Sequence, residues 1–202
     1  MDIDQINIEL ATKTPIEIVQ WALDNGQTPI VTTNFRPYES AILHLVTRVC
    51  PSIKVIWCDT GYNTSSTYKH AEELTEALAL NIQLYIPKQT AAHRDVVMGI
   101  PHIEDPKHQL FTQQVKLEPF KRAMGTHQPD VWFTNLRKGQ TAFRNSIGVV
   151  SRSADGVLKV SPFYHFSDEE LDQYLKDHRL PNEFNYFDPT KQLDNRECGL
   201  HN

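Results

Sequence analysis

The strongest constraint on the fold is an alternation of short apolar runs and helical patterns in the first half of the chain. Pro29–Thr33, Lys54–Cys58 and residues 81–86 have the length and composition of strands, and helical spacing of apolar residues lies between them at 40–49 and 65–80. The unbroken apolar character of these strands is typical of a parallel sheet that is covered on both faces. The pattern therefore predicts an α/β fold with right-handed crossovers, in which an open, mostly parallel sheet has helices on both faces.

Two capping boxes mark the starts of further helices. Thr14 and Ser167 are each followed three positions later by an acidic residue, Glu17 and Glu170, which allows reciprocal hydrogen bonds between side chain and backbone. The second of these helices is predicted to run to about residue 178.

The second half of the chain has weaker patterns. Strands are predicted at residues 131–134 and 156–160, whereas residues 89–117 are polar and have only a weak helical pattern. No internal repeat or linker divides the chain. We therefore expect a single α/β domain, residues 1–188, followed by a mobile C-terminal tail, residues 189–202.

The charge balance restricts the possible partners. The 202 residues carry 25 acidic and 20 basic side chains, for a formal net charge of −5. A protein that coats nucleic acid or a membrane surface needs an excess of Lys and Arg, so neither partner is expected. The sequence also has no apolar run of about 18 residues and no signal segment. These features predict a cytoplasmic protein.

The chain has three cysteines, too few for a four-cysteine iron–sulfur cluster. Cys50 and Cys58 follow or lie within apolar runs and are predicted to be buried. Cys198 instead lies in a polar segment between Arg196 and His201, two groups that can lower the pKa of a nearby thiol and so favour the nucleophilic thiolate. Cys198 is therefore the candidate nucleophile.

Polar segments follow the first, second and fourth predicted strands, at the edge where open parallel sheets bind ligands. The candidate binding residues are Thr33, Asn34, Phe35, Arg36, Asp59, Thr60, Gly61, Tyr62, Leu136, Arg137, Lys138 and Gln140. Their hydroxyl, amide, carboxylate and cationic groups could hold a ribose and several phosphates. The chain has no Gly-rich Rossmann or Walker motif, which disfavours dinucleotides and P-loop chemistry. A nucleotide site is therefore predicted in the domain of residues 1–188.

One polar stretch could suggest a metal site, since it contains His102, Glu104, Asp105 and His108. The spacing of these residues matches no metal-binding motif. A solvated loop is predicted there, with no metal ligands.

Several groups of residues occur in an order and spacing that resemble a known family. They are Asp59-Thr60-Gly61-Tyr62, Thr67-Tyr68 with Glu73-Leu74-Thr75, Lys116-Leu117-Glu118-Pro119, Leu136-Arg137-Lys138 with Gln140 and Arg144, and Arg196-Glu197-Cys198-Gly199-Leu200-His201. On these residues the chain resembles the phosphoadenylyl sulfate (PAPS) reductases of assimilatory sulfate reduction. The resemblance runs from about residue 30 to residue 180 and resumes at residues 196–201.

The resemblance implies an adenine-nucleotide α-hydrolase-like fold, a homodimer, and reduced thioredoxin or glutaredoxin as the electron donor. It implies that Cys198 attacks the sulfonyl sulfur of PAPS and releases adenosine 3′,5′-bisphosphate. The resulting S-sulfocysteine is then cleaved by a thiol of the donor to give sulfite. Arg196 and His201 would assist Cys198, and Lys116 and Arg144 would join the residues that bind the substrate. The chain would thus be an oxidoreductase that acts on a sulfur group with a disulfide as acceptor.

A sister branch of the family reduces adenylyl sulfate and carries a four-cysteine cluster. Because three cysteines cannot form that cluster, the resemblance implies PAPS as the substrate and no bound cofactor. Two features depart from the family pattern. Arg36-Pro37 end the loop after the first strand, where the family has a Ser-rich loop ending in Gly, and the segment before Cys198 is short. The chain is therefore predicted to be a compact variant with a shortened C-terminal region.

Two other functions remain open at this point. An ATP-pyrophosphatase-like sulfur-transfer enzyme would share the fold, but it needs a phosphate-binding loop that residues 34–40 do not provide. A non-catalytic nucleotide-binding relative would bind the nucleotide without forming sulfite.

Overall fold

The computed structural model describes residues 2–142 and 144–191. The candidate nucleophile Cys198 and its neighbours Arg196 and His201 lie outside the described residues. The helices are α1 (Ile3–Leu10), α2 (Pro15–Asp24), α3 (Glu39–Val49), α4 (Ser65–Leu78), α5 (Ala91–Val97), α6 (Lys107–Thr112), a π-helical turn (Gln113–Leu117), α7 (Glu118–His127), a 3₁₀ turn (Arg144–Ser146) and α8 (Asp168–Asp177). The strands are β1 (Pro29–Thr33), β2 (Lys54–Cys58), β3 (Asn81–Tyr85), β4 (Val131–Phe133), β5 (Val150–Arg152) and β6 (Leu158–Val160).

The strands form one sheet in the order β3-β2-β1-β4-β6-β5. Neighbouring strands are parallel throughout, except that β5 runs antiparallel to β6. The chain therefore extends the sheet from β1 through β2 to β3, and then from β1 in the opposite direction through β4 to β6. The switch in direction lies between β1 and β4, which is where open α/β sheets bind their ligands. The predicted mostly parallel sheet is confirmed.

Both faces of the sheet are buried at its central strands, whereas the edge strand β3 is partly exposed, and successive strand residues alternate between the faces. On one face, Val31 and Val55 belong to the main apolar core together with side chains of α2 and α3. On the other face, Ile30, Ile56 and Trp132 form a smaller cluster with α7. This arrangement explains why the strands are continuously apolar in sequence.

Both predicted capping boxes are present. The Thr14 backbone N–H donates to the Glu17 carboxylate at 2.8 Å, and the Ser167 N–H donates to Glu170 at 2.7 Å. The return bonds, from the Glu17 and Glu170 backbone N–H groups to the hydroxyls, are 3.4 Å and 3.2 Å long. These local bonds fix the starts of α2 and α8 where the sequence predicted them.

An outer part of the sheet was not predicted. The expected strand at residues 156–160 is shorter, because β6 begins at Leu158, and the antiparallel strand β5 precedes it. The Asn7 side chain of α1 donates to the Val150 carbonyl and accepts from the Val150 N–H, both at 2.9 Å. Asn7 thereby satisfies backbone groups of β5 that no strand pairs on that side. This contact joins residues 143 positions apart, so no local sequence pattern predicts it.

The polar stretch of residues 89–117 is more ordered than its weak pattern indicated, since it contains α5, α6 and the π-helical turn. The prediction of a solvated loop was wrong for His108, which is buried and packs near Phe111. His102 and Glu104 are exposed. Within the ranges that the structure describes, no group of three or more His, Cys, Asp or Glu side chains could hold a metal ion. No described helix is long and apolar enough to cross a membrane.

Candidate functional site

An outer cleft of about 740 Å³ opens between the segment after β4, the start of α8 and residues 186–191. It is lined by Arg137, Lys138, Gly139, Gln140, Thr141, Arg144, Phe166, Ser167, Asp168, Tyr186, Phe187, Asp188 and Lys191. An inner cavity of about 80 Å³ lies against the carboxyl ends of β1, β2 and β4. The outer cleft and the inner cavity share four lining residues, Arg144, Tyr186, Asp188 and Lys191, so the two spaces adjoin.

The loop after β1 is organised by the buried carboxylate of Glu39, at the start of α3. This carboxylate accepts hydrogen bonds from the Thr33 hydroxyl at 2.8 Å, the Asn34 N–H at 2.7 Å and Arg36 Nε at 2.8 Å. Phe35, between them, has a positive φ of 53°, a conformation that is strained for a residue with a side chain. Glu39 therefore holds the loop in a shape that its backbone alone would not favour.

The loops after β1 and β4 are joined across the switch point. Arg36 donates to the Asn135 carbonyl at 3.4 Å, and the Asn135 side chain donates to the Tyr38 carbonyl at 3.2 Å. The Arg137 guanidinium lies over the Tyr38 ring at 5.2 Å and pairs with Asp168 at the start of α8, at 2.5 Å. Two of the predicted cations, Arg36 and Arg137, thus lie at this junction, but Arg137 already contacts a carboxylate of the same chain.

A second set of predicted residues lies in the segment that follows β4. Gln140 accepts a hydrogen bond from the Arg137 N–H at 3.1 Å, and it also accepts from the guanidinium of Arg144. Arg144 is buried and lines both the outer cleft and the inner cavity, whereas Lys138 is exposed at the rim of the cleft. These cations give the cleft a surface that suits anions.

Lys116 is buried, on the π-helical turn. Its ammonium group forms a buried ion pair with Asp188 and lies 3.4 Å from the Thr190 hydroxyl. The other carboxylate oxygen of Asp188 accepts from the Thr190 N–H at 3.0 Å and from the Thr190 hydroxyl at 2.6 Å. Burial alone would raise the pKa of Asp188. The Lys116 charge and the Thr190 donors outweigh it and hold that pKa below its ordinary value.

We refer to residues 186–191 as the C-terminal strap. The strap has no regular helix or strand, and Tyr186, Asp188 and Lys191 line the inner cavity. The residues before it are tied to the sheet's carboxyl edge: Asn182 accepts from the Tyr38 N–H at 2.8 Å. Packed structure therefore continues to the buried Thr190, slightly past the predicted domain boundary at residue 188.

One predicted binding segment, residues 59–62, is placed differently. Residues 59–62 are not among the described residues that line the outer cleft or the inner cavity. The Asp59 carboxylate accepts from the Tyr68 hydroxyl at 3.0 Å and from the Gly61 N–H at 2.9 Å, and the Tyr62 hydroxyl donates to Asp95 at 2.8 Å. This segment thus acts as a turn that is stabilised by its own side chains. The buried Thr60 hydroxyl accepts from the Tyr62 N–H at 3.2 Å.

The two apolar residues among the predicted set are buried. The Phe35 ring packs in the main core, 4.8 Å from the Trp57 ring between centroids. Leu136 is buried as well and forms part of the inner cavity wall. Neither side chain offers a polar group to a ligand.

The two described cysteines differ. Cys58 is buried at the end of β2 and lines the inner cavity, as expected for an apolar filler. Its burial raises the pKa of the thiol to about 12, so it is protonated at neutral pH. Cys50 is only half-buried, and its sulfur lies 3.9 Å from the Ser52 hydroxyl.

Sequence reasoning missed Glu39 and the three strap residues that line the site, Tyr186, Asp188 and Lys191. A signal for Glu39 exists, since an acidic residue at a helix start just after a strand can bind loop N–H groups. No comparable signal exists for Asp188, because it meets Lys116 across 72 positions of sequence.

The sheet order and the inner cavity at the switch point are those of an α/β protein with an adenine-nucleotide α-hydrolase-like fold. The family model of the phosphoadenosine phosphosulfate reductase domain matches residues 28–187, and the chain belongs to that family. The phosphoadenosine 5′-phosphosulfate reductase of Xylella fastidiosa strain M23 is 36% identical over 187 residues, which cover 89% of this chain and 76% of that protein.

Solved structures agree on the fold. The phosphoadenylyl-sulfate reductase of Candida auris, a phosphate complex, superposes with a TM-score of 0.79 at 22% identity, over 89% of this chain and 87% of that one. A U34-tRNA thiolase from Methanococcus maripaludis superposes with a TM-score of 0.57 at 11% identity, over 89% and 67% of the two chains. The likeness to the thiolase shows a shared fold and nothing about its activity here.

Proposed function

We propose that the chain reduces PAPS to sulfite and adenosine 3′,5′-bisphosphate, with Cys198 as the nucleophile and a thiol protein as the electron donor. The observation that carries the proposal is the match of the reductase domain to residues 28–187, which contain every described residue around the inner cavity except Asp188 and Lys191. Similarity to named reductases at 36% identity supports the same activity.

The cleft supports this choice of substrate. Small-molecule sites usually occupy about 300–1,000 Å³, and the outer cleft has a volume of about 740 Å³. Lys138, Arg144 and Lys191 bring positive charge to its walls. The reaction leaves charge on the departing nucleotide phosphate, and cations fixed in advance around that phosphate lower the barrier.

The chemical step needs a soft nucleophile rather than a strong acid. The Cys198 thiolate attacks the sulfonyl sulfur, the bond from that sulfur to the phosphate oxygen breaks, and its electron pair leaves with adenosine 3′,5′-bisphosphate. Cys198 then carries the sulfonate group. Arg196 and His201 favour the thiolate form of Cys198.

The second half of the reaction uses the donor. A thiolate of reduced thioredoxin or glutaredoxin attacks the sulfur of Cys198 and releases sulfite. The donor's second thiol then breaks the mixed disulfide, so that Cys198 returns to its thiol form and the donor becomes a disulfide. This sequence balances the two electrons that PAPS accepts.

The position of the strap makes the step feasible. Lys191 lines the outer cleft, and Cys198 follows it by seven residues. An extended chain of that length spans up to about 25 Å. Cys198 can therefore reach a sulfonyl group in the cleft.

Likeness to the family also leads us to propose a homodimer in the cytoplasm. Light scattering on the purified protein measures the mass of the particle and so tests the dimer.

A direct assay tests the activity. Purified protein with PAPS and reduced thioredoxin should release sulfite, and Cys198→Ser should abolish that release while nucleotide affinity stays within a few-fold. Cys50→Ser is the matched control, because Cys50 lies outside the described linings of the cleft and the cavity and should keep its activity. Sulfite release that survives in Cys198→Ser would remove Cys198 from the reaction.

A further inference from the structure

We propose that Asp188 is an internal competitor for the substrate's anion, and that PAPS must displace the strap from Lys116 in order to bind. The inference rests on the proposed function and adds to it a residue that sets which nucleotides enter the inner cavity. It follows from three features of the described residues: a buried ion pair, a small inner cavity and the direction of the strap.

The ion pair is the first feature. Lys116 and Asp188 have side chains that are only 3% and 6% exposed, so both charges of this contact are buried. A buried lysine needs an anionic partner, because an uncompensated charge in a low-dielectric interior is costly. In this conformation the partner is a carboxylate from the strap rather than a ligand.

The inner cavity is the second feature. Its volume of about 80 Å³ is far below the roughly 300 Å³ at which ligand sites begin. Tyr186, Asp188 and Lys191 of the strap form part of its wall, opposite Thr32, Thr134 and other residues of the strand ends. Removal of the strap would therefore enlarge the inner cavity and join it to the outer cleft.

Charge decides which group Lys116 holds. A phosphate or sulfonate group beside Lys116 would also lie beside the Asp188 carboxylate, and two anions so close in a buried site repel strongly. Arg144 and Lys191 line the same cavity and can attract the ligand's anion. Binding of the anion thus requires Asp188 to leave. A neutral nucleoside gains nothing from this exchange.

The direction of the chain is the third feature. The strap continues toward Cys198, so a ligand that expels Asp188 also frees the segment that precedes the nucleophile. Asp188 thereby links arrival of an anionic nucleotide to release of the strap. The same competition lowers the affinity for ligands that lack a well-placed anion.

Hydrogen exchange on the wild-type chain tests this without any substitution. The Thr190 N–H donates to Asp188 at 3.0 Å. Saturating adenosine 3′,5′-bisphosphate should abolish the protection of the Thr190 amide, and adenosine at the same concentration should leave it unchanged. Protection that persists or increases with the bisphosphate bound overturns the proposal.

A substitution provides the second measurement. Asp188→Asn keeps an oxygen that accepts from Thr190 but loses the charge that competes for Lys116. Calorimetry should show roughly tenfold tighter binding of adenosine 3′,5′-bisphosphate, the equivalent of one charge-assisted contact. Asp155→Asn, an exposed change of the same type in the turn before β6, should leave the affinity unchanged. The gain should also disappear when Lys116→Gln is present.

The outcomes separate this proposal from the proposed function. Weaker binding by Asp188→Asn than by wild type would mean that Asp188 supports the ligand and would overturn the competition. Sulfite release with a strap that stays protected would leave the reductase function intact and remove only the competition. If neither wild type nor Asp188→Asn binds the nucleotide, the proposed function and the competition are both contradicted.

Discussion

Two ion pairs, one at the inner cavity and one at the outer cleft, place a basic residue opposite an aspartate, yet their surroundings differ. Lys116 and Asp188 are 3% and 6% exposed, whereas Arg137 and Asp168 are 8% and 60% exposed. In the first pair neither charge reaches water. In the second, Asp168 remains hydrated and Arg137 is further held by the Tyr38 ring. Both pairs join a cation to a carboxylate, but we expect the buried pair to contribute more to the free energy of unfolding because its charges are removed from water.

The largest expected effect is on the buried pair. Lys116→Met should leave the Asp188 carboxylate buried without its cation and lower the free energy of unfolding by about 3–5 kcal/mol. Denaturant unfolding measures this change. Lys138→Met is the control, since Lys138 is exposed at the cleft rim and its loss should cost about 0.5 kcal/mol or less. Equal losses in the two variants would contradict the role assigned to burial.

The pH dependence of stability should distinguish the contribution of the buried pair from that of a histidine elsewhere in the fold. Burial lowers the pKa of His44 to about 4, with help from the charges of His178 and Arg48. The unfolded chain, with a histidine pKa near 6.5, binds this proton more readily. His44 therefore makes the folded state lose stability as the pH falls from about 6.5 to 4. The pKa of Asp188 is lowered as well, so its contribution is lost only below about 3.9, the ordinary pKa of an aspartate.

Unfolding as a function of pH checks this assignment. His44→Gln should reduce the loss between pH 6.5 and 4, but part of it should remain because burial also lowers the pKa of His70 and of His127. The steep loss below pH 4 should be unchanged. Lys116→Met should reduce the loss below pH 4, because the pKa of Asp188 is then no longer lowered by the Lys116 charge. A slope between pH 6.5 and 4 that is unchanged in His44→Gln would refute the role of His44.

The smallest effect is expected at the open pair. Asp168→Asn should lower the free energy of unfolding by about 1 kcal/mol or less, since exposed ion pairs contribute little. The difference from wild type should shrink further in about 1 M salt, which screens exposed charges. A loss as large as that of Lys116→Met would show that the exposure of Asp168 does not govern its contribution.

The sequence predicted features that depend on near neighbours. The strands β1 and β2 carry their own apolar runs, and the boxes at Thr14 and Ser167 close within three residues, so a local pattern suffices. It did not predict β5, whose edge is satisfied by Asn7 from the other end of the chain. Contacts of that kind depend on how distant elements pack, and no periodicity records them.

The same division applies to the site. Arg137 and Gln140 could be predicted because they follow a strand that ends at the sheet's carboxyl edge, whereas Arg144 was named only from the family resemblance. Residues 59–62 also follow a strand, yet their polar groups bond to one another and to α5 rather than line the cleft. Position at a strand end therefore does not by itself determine where a side chain points. The partner of Lys116 could not be foreseen, because Asp188 lies in a segment without periodicity.

The central claim is a covalent step at Cys198, and one measurement tests it directly. Wild-type protein is mixed with PAPS in the absence of any reductant, digested, and analysed by mass spectrometry. The account predicts one added sulfonate group on the peptide that contains Cys198, which disappears on addition of reduced thioredoxin together with release of sulfite. A sulfonate on Cys50 or Cys58 instead, or sulfite formation with no adduct on any cysteine, would contradict it.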